Sequence, residues 1–386
     1  MPSLFLQAIR YRLIQFHAAR SSPSDLKVQM NIKSTGKWLF AFSMLFTFLV
    51  FSVAKAQSTS DESARLQKWL ERFPQADTNS DGILTLEEAR KFRDQLQKSR
   101  TEKAVAAFAP THRNMVYGPD VRNQLDLWLA ESKEPTPLII YIHGGGFVAG
   151  SKEKVSPEFV REALKRGFSV ASINYRFVTQ AMFPAPQHDG ARAVQFLKHH
   201  AEKYNLNPDQ FAVFGGSAGA GISMWIGYHD DLANSSEKDP ILRESSRVAA
   251  VGSIGGQSSY DPFVIREWIG GQAHAHPSIY LCYRVVSLQQ LANPQLQPLY
   301  DDVSAIKHVT RDDPPTFMFY GEADEPLPPN AKPGQGIHHP IFGHKLKEKL
   351  DEAGIKSEYR HVSTDGRDMV TPLLDFFEEQ FLTVEQ

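Results

Sequence analysis

The sequence predicts an α/β protein: a doubly wound, mostly parallel sheet with a small cap, preceded by a short helical segment. Three observations predict it. From about Phe108, short apolar runs alternate with segments of helical period, as strands joined by crossover helices do. Two of those runs lead into glycine-framed turns, His143-Gly144-Gly145-Gly146-Phe147 and Gly215-Gly216-Ser217-Ala218-Gly219. Ahead of them, an Asp- and Asn-rich loop lies between two stretches with apolar residues at helical spacing.

The totals fit that class. The 386 residues are 41% hydrophobic and 22% charged, ordinary globular composition with material for a large core. Length alone suggests about two to three domains. A formal charge of −2 and a pI near 6.7 give no basic face for a polyanion, which disfavours a nucleic-acid partner. The single cysteine, Cys282, excludes an intramolecular disulfide. The sequence does not fix an oligomeric state.

The first element is a leader. Trp38 to Val53 is a run of 16 residues without charge, dominated by Leu, Phe and Val, with Lys33 and Lys37 ahead of it. Ala54-Lys55-Ala56 places small residues where a signal peptidase reads them. The expectation is a signal peptide cut after Ala56 and a secreted or periplasmic product. The run is shorter than the ~20 residues a spanning helix prefers, which argues against an anchor. Met30-Asn31-Ile32-Lys33 reads as an ordinary signal-peptide start, so translation is expected to begin at Met30, with residues 1–29 an over-extended frame. The expected organisation is residues 1–56 as leader region, 57–104 as a helix-loop-helix and linker, and 105–386 as the main domain.

The second element is the polar loop from Asp77 to Glu88. Asp77, Asn79 and Asp81 put side-chain oxygens at positions 1, 3 and 5 of a twelve-residue loop, and Gly82 permits the sharp turn at position 6. The Ile83 carbonyl, Thr85 and a bidentate Glu88 complete an all-oxygen set suited to a hard cation. Ala64 to Phe73 and Leu86 to Leu96 flank it as helices. The stretch resembles an EF-hand over about 25 residues, which implies calcium as the ligand. EF-hands usually pair, and Leu84 would pack against a paired loop, yet only one such loop is present in the sequence.

The main domain follows strand by strand. Val116-Tyr117 and Leu125 to Leu129 read as an opening hairpin, and Pro137 to Ile142 as the strand entering the glycine run. Phe168 to Asn174, Phe211 to Phe214, Ala249 to Ile254, Thr316 to Tyr320 and Lys356 to Val362 read as further strands. Helices are expected through Phe159 and Leu164, over Ala191 to His200, Ala218 to Tyr228, Ile341 to Ala353 and Met369 to Phe381. The aromatic-containing stretch between Gln257 and Asp313 has poorer periodicity and reads as a cap shaping a pocket. Gly215 to Gly219, between a strand and a helix, fits a nucleophile elbow that lifts the Ser217 hydroxyl above the sheet. The glycine run then supplies backbone N–H donors for an oxyanion, so the two motifs together describe acyl transfer. A phosphate loop is disfavoured, because no Lys follows in the required position.

Residues 116–386 resemble the α/β-hydrolase superfamily, in particular the hormone-sensitive-lipase-like and feruloyl-esterase-like esterases. The resemblance rests on the glycine run, Asn174-Tyr175-Arg176, Phe183-Pro184-Ala185 with Asp189, and the elbow. It implies oxyanion donors at the amides of Gly145, Gly146 and Ala218, and ester hydrolysis with Ser217 as nucleophile. It implies an acid in Gly321-Glu322-Ala323-Asp324-Glu325, where the family spacing favours Asp324. No cofactor is implied for the hydrolysis. A small ester or an acylated polysaccharide is the implied substrate.

The family places the catalytic histidine after the last strand, but Thr364 to Met369 contains none, and Arg367 stays protonated. A relocated base is expected at His339, whose position before Pro340 favours an extended backbone. His338 and His361 are the alternatives. A degenerate site kept for binding is the remaining reading.

Overall fold

The computed structural model describes residues 64–384. The expected leader at 1–56 and the start at Met30 lie outside the described residues. The described residues divide into two compact units, with the division between Thr101 and Glu102.

In the first unit, helix α1 (64–72) and a single turn Pro74–Ala76 precede the polar loop; helix α2 (Leu86–Ala107) follows it and ends six residues past the division. A small core of Ala76, Leu84 and Ala89 is packed by Leu66, Trp69, Leu70, Phe73 and Phe92. Leu84 is thus covered by its own helices, where Trp69 meets Phe73 and Phe92 edge to face and Phe73 and Phe92 meet at a tilt. Helix α2 runs past the expected end at Leu96. Its Lys, Arg, Glu and Ala residues are good helix formers, and no Gly or Pro interrupts them before Pro110.

The second unit is built on an eight-stranded sheet in the order β1-β2-β4-β3-β5-β6-β7-β8. The strands are β1 (His112–Val116), β2 (Gln124–Trp128), β3 (Thr136–Ile142), β4 (Ser169–Ile173), β5 (Leu206–Gly216), β6 (Ala250–Ile254), β7 (Thr316–Tyr320) and β8 (Ser357–His361). β1 and β2 form the antiparallel hairpin, β2 pairs antiparallel with β4, and every other pairing is parallel. The chain reverses direction of travel at β3, so the loops leaving β3 and β5 lie side by side at one sheet edge.

Both faces are covered. Leu138, Ile140 and Ile142 of β3, with Phe211 and Val213 of β5, face one core, and Ile139, Ala212 and Phe214 face the other. That is the period-two division of a sheet buried on both sides. Helices α4 (Ala185–His199), α5 (Ala218–Tyr228) and α9 (Ile341–Ala353) contribute Leu197, Ile222, Ile226 and Leu346 to the first core. Helices α3 (Pro157–Lys165) and α10 (Val370–Val384) contribute Phe159, Leu373 and Phe377 to the second. Between β6 and β7 the cap consists of short helices, among them α6 (Pro262–Ile269), α7 (Pro277–Cys282) and α8 (Gln297–Val303). Its Tyr260 and Tyr283 join Phe147 and Phe183 in an edge-to-face aromatic cluster. Shortness explains the poor periodicity: elements of six to eight residues show barely two turns of pattern.

Candidate active site

Ser217 sits between β5 and α5 with φ 53° and ψ −120°, a conformation a serine adopts only when its surroundings force it. The surroundings are close-packed backbone. A Cβ at Gly219 would stand 2.0 Å from the Ile142 carbonyl oxygen, and one at Gly215 would stand 2.4 Å from it. The Ser217 N–H donates to the Ile254 carbonyl at 2.9 Å, which pins the turn to β6. The Ser217 side chain caps no backbone group of α5, so its hydroxyl is free for a partner outside the helix.

That partner is His338. Its Nε2 lies 2.8 Å from Ser217 Oγ, and its Nδ1 lies 3.2 Å from Glu322 Oε1. The ionised carboxylate only accepts, so Nδ1 carries the hydrogen and Nε2 offers its lone pair to the serine O–H. Glu322 follows the end of β7. Its backbone carbonyl accepts from His361 Nε2 at 2.8 Å, and His361 Nδ1 is in turn held by Ser363. The preceding residue, Ile337, is anchored by the Gln257 side chain, which donates to its carbonyl.

Two expected site residues lie elsewhere. His339 is buried at the start of α9, where its Nε2 donates to the Glu325 carbonyl at 2.9 Å and its Nδ1 accepts from the Ile341 N–H at 3.1 Å. Both ring nitrogens are used in holding the helix start, so His339 has none left for a serine. The extended backbone inferred from Pro340 is replaced by a turn, with the His339 N–H on the Gly336 carbonyl. Asp324 points away from His338, and its Oδ2 meets His344 Nε2 at 2.7 Å on the surface. Glu322 takes its place because it stands two residues nearer the strand end, which keeps its side chain over the sheet edge.

The glycine run is held from behind. The Tyr175 hydroxyl donates to the His143 carbonyl at 2.9 Å, and the Tyr175 ring stacks on the His143 ring at 4.3 Å. Asn174 Oδ1 accepts from the Lys152 N–H, and buried Asp189 clamps Arg176 through its backbone N–H and its guanidinium. These contacts give the Asn-Tyr-Arg piece its structural purpose. A Cβ at Gly145 would stand 2.1 Å from the Ala149 carbonyl oxygen, so only glycine allows that turn. Gly145, Gly146 and Ala218 line one cavity of about 510 Å³ together with Ser217 and His338. Its walls are largely apolar, with Phe147, Tyr260, Ile279 and Phe342, and Gln257, His276 and Ser278 add the polar groups.

His143 is fully buried, and burial is the first cause that pushes its imidazole down to about 4, with the Arg122 charge acting the same way. The ring is therefore neutral at pH 7, with Nδ1–H on the Gly144 carbonyl and Nε2 accepting from Arg122. The folded state resists protonation that the unfolded state accepts near 6.5, so stability is full above pH 6.5 and falls as pH drops toward 4. This one group is expected to remove about 3 kcal/mol of stability by pH 4. Urea unfolding of wild type and His143→Gln at pH 7 and 4.5 checks it, since the variant should show a shallower loss. Equal losses in both would contradict the assignment.

The BD-FAE family model matches residues 125–332, more than half of the chain. A probable isoprenylcysteine alpha-carbonyl methylesterase of Arabidopsis thaliana is 28% identical over 228 residues, covering 58% of this chain and 46% of that protein. A probable carboxylic ester hydrolase of Mycobacterium tuberculosis is 26% identical over 209 residues, covering 53% and 46%. The chain thus spans about half the length of these curated relatives. Among solved structures, a truncated carbohydrate esterase from gut microbiota superposes with a TM-score of 0.56 at 24% identity, covering 71% of this chain and 97% of that one. Esterase B of Lactobacillus rhamnosis superposes with a TM-score of 0.53 at 17% identity, covering 77% and 96%. At those identities the structural likeness speaks for the fold, which is that of the α/β-hydrolases. With the family match covering the glycine run, the elbow and Glu322 just after β7, the chain belongs to the BD-FAE family.

Proposed function

We propose that the protein is a serine carboxylic ester hydrolase whose triad is Ser217, His338 and Glu322. The observation that carries this reading is the 2.8 Å contact between His338 Nε2 and Ser217 Oγ, backed by Glu322 on Nδ1. Ser217 Oγ attacks the ester carbonyl carbon while its proton passes to His338 Nε2. The negative charge moves to the carbonyl oxygen, where the amides of Gly145, Gly146 and Ala218 receive it. Collapse breaks the bond to the alcohol, which leaves with the proton from His338. Water then repeats the sequence on the acyl-enzyme, His338 taking its proton, and the acid departs. Identity to esterases among the curated relatives supports the reaction class. The apolar cavity beside the serine suits the acyl part of a small ester. An acylated polysaccharide remains our second substrate class, motivated by the expected export of the protein. A binding-only role rested on the lack of a histidine after β8, and the contact of His338 with Ser217 supports turnover in its place.

Hydrolysis of a short-chain nitrophenyl ester tests the acid. Glu322→Gln should lower kcat by about 10²-fold or more, since the imidazole loses the carboxylate that fixes its tautomer. Asp324→Asn should leave kcat near wild type. The reverse ranking would overturn the choice of Glu322.

We also propose that the loop from Asp77 to Glu88 binds calcium in an exported protein. The residues fit the ion. Asp77 Oδ1 is buried with no protein partner, and Gly82 takes φ +81° at the turn. Hydrogen bonds from Thr85 and Thr78 hold the Glu88 carboxyl down at about 2, so it is ionised. Thr85 and Glu88 also form a reciprocal cap on α2, with Thr85 N–H on Glu88 Oε2 and Glu88 N–H on Thr85 Oγ1. The Asp77, Asn79, Asp81, Thr85 and Glu88 side chains with the Ile83 carbonyl would hold the ion, and calcium would order the loop without touching the reaction. Calorimetry should show calcium binding to wild type and at least about tenfold weaker binding to Glu88→Gln. No heat in wild type, or equal heats, would exclude the site. Chelation should leave the sheet unit folded, because its core is its own.

A further inference from the structure

At the end of α5 opposite the elbow, His229, Asp302 and His308 form the one group of three potential metal ligands among the described residues. One donor atom from each lies within 4.8 Å of the others. All three side chains are half-buried. His229 follows the last residue of α5, Asp302 lies on α8, and His308 follows the turn Ala305–Lys307.

The hydrogen bonds around the rings decide which atoms are free. His229 Nδ1 lies 3.0 Å from the Asp230 carbonyl, and His308 Nε2 lies 2.7 Å from the Asp302 carbonyl. Carbonyls only accept, so those two nitrogens carry the hydrogens. In the neutral rings the lone pairs are then left on His229 Nε2 and His308 Nδ1. His229 Nε2 faces Asp302 Oδ1 at 3.5 Å, lone pair toward carboxylate. Two acceptors in that arrangement are joined by a species that serves both lone pairs, a bridging water or a metal ion.

The surroundings match a metal site in a second way. Ligating histidines usually donate their other ring N–H to a carbonyl or carboxylate, which fixes the tautomer. Both rings do so here. Trp225 Nε1–H also donates to the Asp302 carbonyl at 2.7 Å, and the His229 ring packs on Trp225 at 4.2 Å and beside His308 at 4.8 Å. The rings are therefore held in place before any ion arrives. Ligand atoms around a tetrahedral ion at about 2.0–2.2 Å are separated by about 3.3–3.6 Å. The His229–Asp302 pair already has that spacing, and His308 brings a ring nitrogen within 4.8 Å of both.

We propose that His229, Asp302 and His308 bind a divalent ion of the zinc class. Two imidazoles and one carboxylate suit a borderline ion, in contrast to the all-oxygen loop at Asp77–Glu88. The site lies about 18 Å along α5 from Ser217, taking about 1.5 Å per residue. Its ion would tie the end of α5 to α8 and the turn leading back to β7, so its effect is on the stability of the cap's base and not on the reaction.

The test titrates zinc into the purified protein with calcium in excess, so that the loop at Asp77–Glu88 is occupied. Wild type should bind zinc with a Tm rise of about 5 °C or more at a hundredfold excess over Kd. His229→Gln and His308→Gln should each weaken binding by about tenfold or more. A zinc heat and a Tm shift unchanged in both His229→Gln and His308→Gln would overturn the site, as would no binding by wild type. A measurement on wild type alone covers the case in which a variant fails to fold. Peptide mapping after diethylpyrocarbonate treatment should show zinc protecting His229 and His308. Unchanged reactivity of those two histidines with zinc present would equally overturn the proposal.

Discussion

His338→Ala is expected to lower kcat on a nitrophenyl ester by about 10³-fold or more, with little change in KM. The imidazole is the group within reach of the Ser217 hydroxyl, at 2.8 Å, and its neighbours are committed elsewhere: His339 to the Glu325 carbonyl, His361 to the Glu322 carbonyl and His276 Nδ1 to the Ser278 N–H and hydroxyl. Steady-state rates for His338→Ala and His339→Ala, purified side by side, check this. His339→Ala should keep turnover within a few-fold of wild type and instead lose stability. Its ring accepts from Ile341 and donates to Glu325 in a buried place, and leaving those backbone groups without partners costs about 1–3 kcal/mol. Near-normal turnover in His338→Ala, or a thousandfold loss in a folded His339→Ala, would reverse the two assignments.

The contrast between these neighbours shows where the sequence stops being legible. The strands, the glycine run and the elbow are visible because each is a local pattern: apolar runs of five to seven residues, or small residues where backbone crosses backbone. The helix from Ala218 to Tyr228 has both bounds in the sequence, since Ser217 ends the strand-side turn and His229 leaves the apolar stretch. The segment from Glu322 to Pro340 has no such pattern. Which of two adjacent histidines meets the serine depends on a turn closed by the His339 N–H on Gly336 and on a side-chain bond from Gln257, more than 80 residues upstream of His338. Those are tertiary facts. The same holds for Glu322 against Asp324: the acidic loop offers three carboxylates, and only the direction of the chain leaving β7 separates them. The pairing of His229 with His308 is equally hidden, because 79 positions and the whole cap separate them in sequence. The base itself was recoverable in one respect. The lack of any histidine in Thr364–Met369 requires a donor from elsewhere, and Gly336-Ile337-His338-His339-Pro340 is a histidine pair set just ahead of a helix on the site's side of the sheet.

Ser217→Ala is expected to abolish ester hydrolysis to within the residual given by binding and the oxyanion donors, a loss on the order of 10⁴-fold or more. The fold should survive. Alanine meets the same backbone strain at φ 53° that serine does, so the strain does not distinguish the two. The one bond removed is that to His338, a half-exposed ring, and the expected stability change is within about 1 kcal/mol. Activity and urea unfolding measured on the same preparation separate loss of chemistry from loss of structure. The most direct measurement of the central claim is the intact mass of the protein after brief reaction with an activated phosphonate ester, followed by peptide mapping. A single phosphonyl adduct on Ser217, formed by wild type, strongly slowed in His338→Ala and absent in Ser217→Ala, is the expected result. An adduct on another residue, or labelling at the wild-type rate in His338→Ala, would contradict it.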